Sequence, residues 1–207
     1  MRRCVNDPKY VIPALLLALL AAPHMARAQA QAKQAGAPMA AAKLSPELLA
    51  ARTALAKYND PYVAVRDGYF STIACIDFPN GGQDGPVTYK PGAMGVHLLN
   101  TANIGPKLDP AKPQVLIYEP VGGRLKLVAA EWLMPVQAAG GKAPQIFGQT
   151  LLGPMNGHEP IMPKEMMHYD LHVWLWKENP KGVFESTNSA VKCDPKAPYT
   201  HAEGMHH

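Results

Sequence analysis

Two periodicities divide the chain. From Ser45 onward Leu48, Ala51, Leu55 and Tyr58 recur at helical spacing, behind a capping serine, a proline at the first helical position and Glu47 in the first turn. They predict a helix over about 46–58, with Arg52 and Lys57 facing water. Asp60-Pro61 restarts a second short helical stretch, and Asp67-Gly68 stops it. Beyond Tyr69 the pattern changes to short apolar runs punctuated by proline and glycine, at 70–78, 93–99, 115–119, 125–134 and 167–176. No long helical pattern lies between them, which favours antiparallel pairing over a crossover sheet. The expected fold is α+β: an N-terminal helical segment packed on an antiparallel sheet or partly closed β-barrel, in a single domain over 45–196.

One hairpin is explicit. Gly122-Gly123 joins the run Val115 to Glu119 to the run Leu125 to Glu131. With a two-residue turn Glu119 faces Lys126, while Leu116, Tyr118, Leu125, Leu127, Ala129, Glu131 and Leu133 share the other face. Glu119 then reads as a solvated partner of Lys126 or Arg124. Glu131 reads as a carboxylate on an apolar face, which is costly unless it is paired or bound to a metal.

The densest chemistry lies in Met167-His168-Tyr169-Asp170-Leu171-His172-Val173-Trp174-Leu175-Trp176. Strand alternation puts Tyr169, Leu171, Val173 and Leu175 on one face and His168, Asp170, His172, Trp174 and Trp176 on the other. Residues two apart on a strand are about 7 Å apart and residues four apart about 13 Å. Asp170 can therefore share an ion with either histidine, whereas His168 and His172 share one only if a bulge or helical turn shortens the gap. Further ligands must come from other strands, and His97 and Glu131 are the candidates on apolar segments. Imidazole and carboxylate together suit zinc, iron, manganese or copper, and an open position would make such a site catalytic. The bland alternative is a set of satisfied core histidines. A separate segment, 153–168, holds four methionines and two histidines without periodicity and reads as a loop. Its thioethers either ligate copper or pack the loop onto the sheet.

Composition and the chain ends narrow the setting. Arg2, Arg3 and Lys9 precede and flank an uncharged run from Val11 to Ala22, and Ala26-Arg27-Ala28 supplies the small residues of a cleavage site. This is the order of a secretory signal peptide over 1–28. The run is about a dozen residues where a bilayer span needs about 20, so no stable membrane anchor is expected. Cleavage removes four cations and one Asp, lowering the formal net charge of +4 by three, to about +1. The remaining chain has no basic stripe, which argues against a nucleic-acid partner. Residues 29–44 read as a disordered tether and 197–207 as a disordered tail. Cys75 and Cys193 survive cleavage and are expected to form one disulfide. Nucleophile-elbow, phosphate-loop, dinucleotide and haem-attachment motifs are missing.

The chain resembles a family of exported bacterial proteins with no known activity. The resemblance runs from about Ala54 to Cys193, through Asp67-Gly68-Tyr69, Met94-Gly95-Val96-His97, Tyr118-Glu119-Pro120, Phe147-Gly148-Gln149, Gly153-Pro154-Met155 and the His168 to Trp174 run. It implies export and carries no catalytic assignment. The function expected from the residues is a periplasmic or secreted metal-binding protein, its site built from His97, Glu131, His168, Asp170 and His172. A metal-dependent reaction on a small organic substrate, with Glu131 moving the proton, would follow from an open coordination position. Two other readings remain open: a small-molecule binding module lined by Trp174, Trp176 and Tyr118, and a copper-handling protein using Met155, Met162 and Met166.

Overall fold

The computed structural model describes residues 44–71, 74–159, 162–194 and the backbone of 200–203. The expected signal peptide and, apart from Leu44, the expected tether lie outside these residues. Helix α1 (Pro46–Leu55) starts where the Ser45 side chain accepts from the Leu48 N–H, and it buries Leu48, Ala51 and Leu55. A 3-10 turn, Ala56–Asn59, extends it and buries Tyr58. Asp60 caps α2 (Pro61–Arg66), which ends at Asp67.

The rest is mostly β. The strands are β1 (Ala74–Phe78), β2 (Gly82–Asp84), β3 (Val87–Tyr89), β4 (Gly92–Leu99), β5 (Val115–Val121), β6 (Arg124–Pro135), β7 (Gln145–Ile146), β8 (Gln149–Thr150), β9 (Leu152–Met155), β10 (His168–Val173) and β11 (Thr200–Glu203). Seven form one curled sheet in the order β11-β1-β4-β5-β6-β10-β9, antiparallel except for the parallel β1–β11 edge pair. β2–β3 and β7–β8 are two small separate ribbons. The segment expected to be all loop begins with β9, whose Met155 pairs with His168.

Register decides which residues share a face. The hairpin turn is Gly122-Gly123, with Val121 opposite Arg124 and Glu119 opposite Lys126, as the two-residue turn requires. The parity deduced beyond it is wrong, because β6 carries one extra residue. Tyr118 pairs with Leu127 but Ile117 pairs with Ala129, leaving Val128 as a bulge. The Val128 carbonyl accepts from the Trp176 and Lys177 N–H groups at 3.1 and 3.3 Å, which accounts for its departure from the ladder. Ala129, Glu131 and Leu133 therefore move to the face of Val115, Ile117 and Glu119.

Leu116, Tyr118, Ala130 and Trp132 share the opposite face, where the Tyr118 hydroxyl donates to the Tyr58 carbonyl at 2.7 Å and the Trp132 indole to the Asp109 carbonyl at 2.8 Å. Residues from this face and the buried positions of α1 belong to one apolar cluster. A smaller cluster joins Ile76, Phe78, Val87, Tyr89, Met94 and Met155, and so ties the β2–β3 ribbon to β9.

Glu119 corrects a second expectation. It is not solvated: it is 5 % exposed, both its oxygens accept from Lys177 Nζ at 2.6 and 2.7 Å, and it accepts from the Lys192 N–H at 3.1 Å.

Cys75 and Cys193 are disulfide-bonded with a Cα–Cα distance of 5.6 Å. The bond delivers the C-terminal segment to the free edge of β1. There β11, inside the stretch expected to be a disordered tail, adds its backbone with Ala74 opposite Thr200 and Asp77 opposite Glu203. Among the described residues no helix is long and apolar enough to cross a membrane.

Candidate metal centre

The five residues singled out from the sequence lie on one face of the sheet. β10 pairs with β6 so that His172 is opposite Glu131, Asp170 opposite Leu133 and His168 opposite Pro135. Glu131 is in turn opposite Val115, and His97 on β4 is opposite Ile117. Opposed residues point to the same side of a sheet, so His97 and Glu131 approach each other across β5. The Val128 bulge is what turns Glu131 to this side. All five are buried, His168 at 0 % and His97, the most exposed of them, at 4 %.

His97, Glu131 and His172 make one cluster, in which one ligand-type atom from each lies within 4.8 Å of the others. His97 Nε2 and His172 Nε2 are each 3.5 Å from Glu131 Oε2. That is long for a hydrogen bond, whose N···O distance is about 2.7–3.2 Å. It suits two donors sharing an ion, since metal–ligand bonds of about 2.1 Å at a tetrahedral angle place their donors about 3.4 Å apart. His97 Nδ1 donates to the Gly95 carbonyl at 3.2 Å, which leaves the Nε2 lone pair directed at Glu131. Metal-bound imidazoles are oriented in this way, by a carbonyl or carboxylate on the far nitrogen.

His168 and Asp170 enter a neighbouring cluster with His158, again with one donor atom each inside 4.8 Å. His168 Nδ1 donates to the Met166 carbonyl at 3.2 Å, and its Nε2 is 3.6 Å from Asp170 Oδ2. His168 and His172 thus serve different clusters, as their separation on a strand demands. Asp170 stands between them, its Oδ1 3.8 Å from His172 Nδ1. Both nitrogens of His172, His168 Nε2, Asp170 Oδ2 and Asp84 Oδ2 are buried without a hydrogen-bond partner. An unsatisfied buried polar atom costs about 1–3 kcal/mol, so five in one place require an explanation.

Burial dominates the electrostatics. It pushes the Glu131 carboxyl up to about 7 and pulls His97 down to about 3 and His158 down to about 4. Asp170 is also driven upward by burial, but the imidazoles of His168 and His172 beside it outweigh that and hold the carboxyl well below the usual range. His168 is raised despite burial, by Asp170 and then Glu131; His172 is raised despite burial, by Glu131 and then Asp170. Protons and a divalent cation would compete for the same atoms.

The remaining candidates are dispersed. Tyr118 faces the helices, and β10 ends at Val173, so Trp174 and Trp176 leave the ligand face; the Trp174 indole donates to the Glu185 carbonyl. Tyr118 lies on the opposite face of the sheet from the five ligand residues. Met162 and Met166 pack with the main apolar core and Met155 with the smaller cluster. Asp84 and Tyr89 were not marked by the sequence. They reach His158 only because β2–β3 folds over β9, and a lone Asp in a Gly-rich turn carries no local signal of that.

The buried His/Glu/Asp clusters have the donor types and spacing to hold a metal ion. Comparison with family models, with curated proteins and with solved structures finds no match for this chain.

Proposed function

We propose that this is an exported metalloprotein whose primary centre is His97, Glu131 and His172, taking a divalent first-row transition metal. The observation that carries the reading is the convergence of two buried imidazole Nε2 atoms on one carboxylate oxygen, each at 3.5 Å, with no hydrogen-bond partner for His172. Two imidazoles and a carboxylate form the donor set of open zinc sites and of the iron facial triad. With nitrogen and oxygen donors and no thiolate, zinc, manganese or iron is favoured over reduced copper. An open position on such an ion supplies Lewis acidity and an acidified water. The chain's own part is to hold His97 through the Gly95 carbonyl and to keep bulk water away by burial. Export rests on the basic-apolar-small order of residues 1–28 and fits the Cys75–Cys193 disulfide, which an oxidising compartment maintains.

Elemental analysis of untagged mature protein, loaded in turn with zinc, manganese, iron and copper, tests the reading. At least one equivalent should survive dialysis, and His97→Ala or Glu131→Gln should remove one equivalent while the far-ultraviolet circular dichroism stays unchanged. Metal well below one equivalent under every loading condition would exclude it.

A further inference from the structure

The second cluster lies outside the primary centre and carries its own observations. Three of its atoms, His168 Nε2, Asp170 Oδ2 and Asp84 Oδ2, are buried without partners on residues 0 %, 2 % and 7 % exposed. Two of them are left free by a hydrogen bond on the other side of their own group. His168 is held through Nδ1 by the Met166 carbonyl, Asp84 through Oδ1 by the Asn156 amide at 3.3 Å, and Asp170 has Oδ1 turned to His172. His158 closes the set, its Nε2 3.8 Å from Asp84 Oδ2 and 3.4 Å from the Tyr89 hydroxyl.

We infer that His158, His168 and Asp170, completed by Asp84, form a second divalent-metal site, whose Asp170 carboxylate also faces Nδ1 of the primary-centre ligand His172, the ring nitrogen other than the one that meets Glu131. That it is a second centre rests on the reading of His97, Glu131 and His172 as the first; the site itself stands on its own donors. Two imidazoles with two carboxylates suit zinc or manganese. A buried ion-pair network is the competing account of the same residues. It leaves His168 Nε2 and Asp170 Oδ2 3.6 Å apart and unsatisfied, a separation that a shared ion explains and a hydrogen bond does not.

The two sites differ in access. The His158 side chain is 18 % exposed, against 5 % for Glu131 and 1 % for His172. An ion in the outer site would therefore be the more readily exchanged of the two. The outer site also gathers three separate pieces of chain: the β2–β3 ribbon through Asp84, the segment after β9 through His158, and β10 through His168 and Asp170. Its occupancy should fasten ribbon and loop to the sheet.

Manganese and zinc titrations of the untagged mature chain test this, with metal content by elemental analysis. The expected result is two equivalents, and loss of one equivalent in His158→Ala. The more conservative His158→Gln should weaken only the weaker binding step, by at least tenfold. The wild-type stoichiometry needs no variant, so a misfolded mutant does not remove the test. One equivalent in the wild-type chain that is lost in His97→Ala and kept in His158→Ala overturns the second site and leaves the primary centre standing. One equivalent lost in His158→Ala and kept in His97→Ala overturns the primary centre and leaves this site standing, and no metal at all overturns both readings.

Discussion

Glu119 and Glu131 are buried carboxylates on the two strands of one hairpin, and each is accommodated differently. Glu119 is neutralised by Lys177 and by the Lys192 N–H, so it needs no ion. Glu119→Ala should leave metal stoichiometry intact and lower stability by about 1.5–3 kcal/mol in urea denaturation, the range for hydrogen bonds to charged groups. Glu131→Gln should do the reverse, with little change in shape and one equivalent of metal lost. Equal loss of metal in both variants would mean that the Lys177 pair supports the centre. The raised Glu131 also fixes the sign of a pH effect. A proton on a carboxyl pushed up to about 7 must leave before a cation binds, and the raised His172 holds a second competing proton, whereas the lowered His97 stays neutral. Affinity at the primary centre should therefore fall as pH drops below about 7, by about one to two orders of magnitude per pH unit. Competition titrations between about pH 8 and pH 5 measure the slope, and a flat profile would contradict the assignment.

Strands, turns and caps show why some of this was legible in the sequence and some was not. Ser45 and Asp60 cap helices through contacts two or three residues away, and the Gly122-Gly123 turn is a dipeptide, so local chemistry located all three. The His168-Asp170-His172 alternation likewise showed its face directly. The Val128 bulge did not, because the donors that hold its carbonyl, Trp176 and Lys177, lie far along the chain. Without the bulge the hairpin reading puts Glu131 beside Tyr118. That Glu119 is not in water has its own cause, since Lys177 and the Lys192 N–H that enclose it also lie far along the chain. His158, Asp84 and Tyr89 converge through tertiary folding alone. Gly95 offers a test at this scale. Its φ is +105°, a Cβ there would lie 2.5 Å from the Tyr118 carbonyl oxygen, and its own carbonyl orients His97. Gly95→Ala should destabilise the domain by about 2 kcal/mol or more and weaken the primary centre about tenfold. Unchanged metal affinity in a destabilised but folded variant would show that the carbonyl anchor is dispensable.

At the scale of the whole molecule, the Cys75–Cys193 bond closes a separation of 118 residues and so encloses every proposed ligand. In the chain-entropy account a loop of that size contributes about 4–5 kcal/mol, and native disulfides typically contribute about 2–5 kcal/mol. The Cys75→Ala/Cys193→Ala double variant should lose stability in that range by urea denaturation yet keep its metal while folded, since neither cysteine is in a cluster; metal loss in the folded variant would tie the bond to the site. The strand that supplies more ligands than any other has one further consequence. β10 alternates His168, Asp170 and His172 with Tyr169, Leu171 and Val173. Sliding it by one residue along β6 would exchange the two sets, presenting an oily stripe where the donors belong. Both alignments bury apolar side chains, so collapse alone discriminates between them weakly. An ion discriminates strongly, because only one alignment can ligate it. Metal capture would then act as proofreading of strand pairing: a molecule that retains metal has been assembled in register, and one that cannot is marked as misfolded by the same defect that leaves it empty.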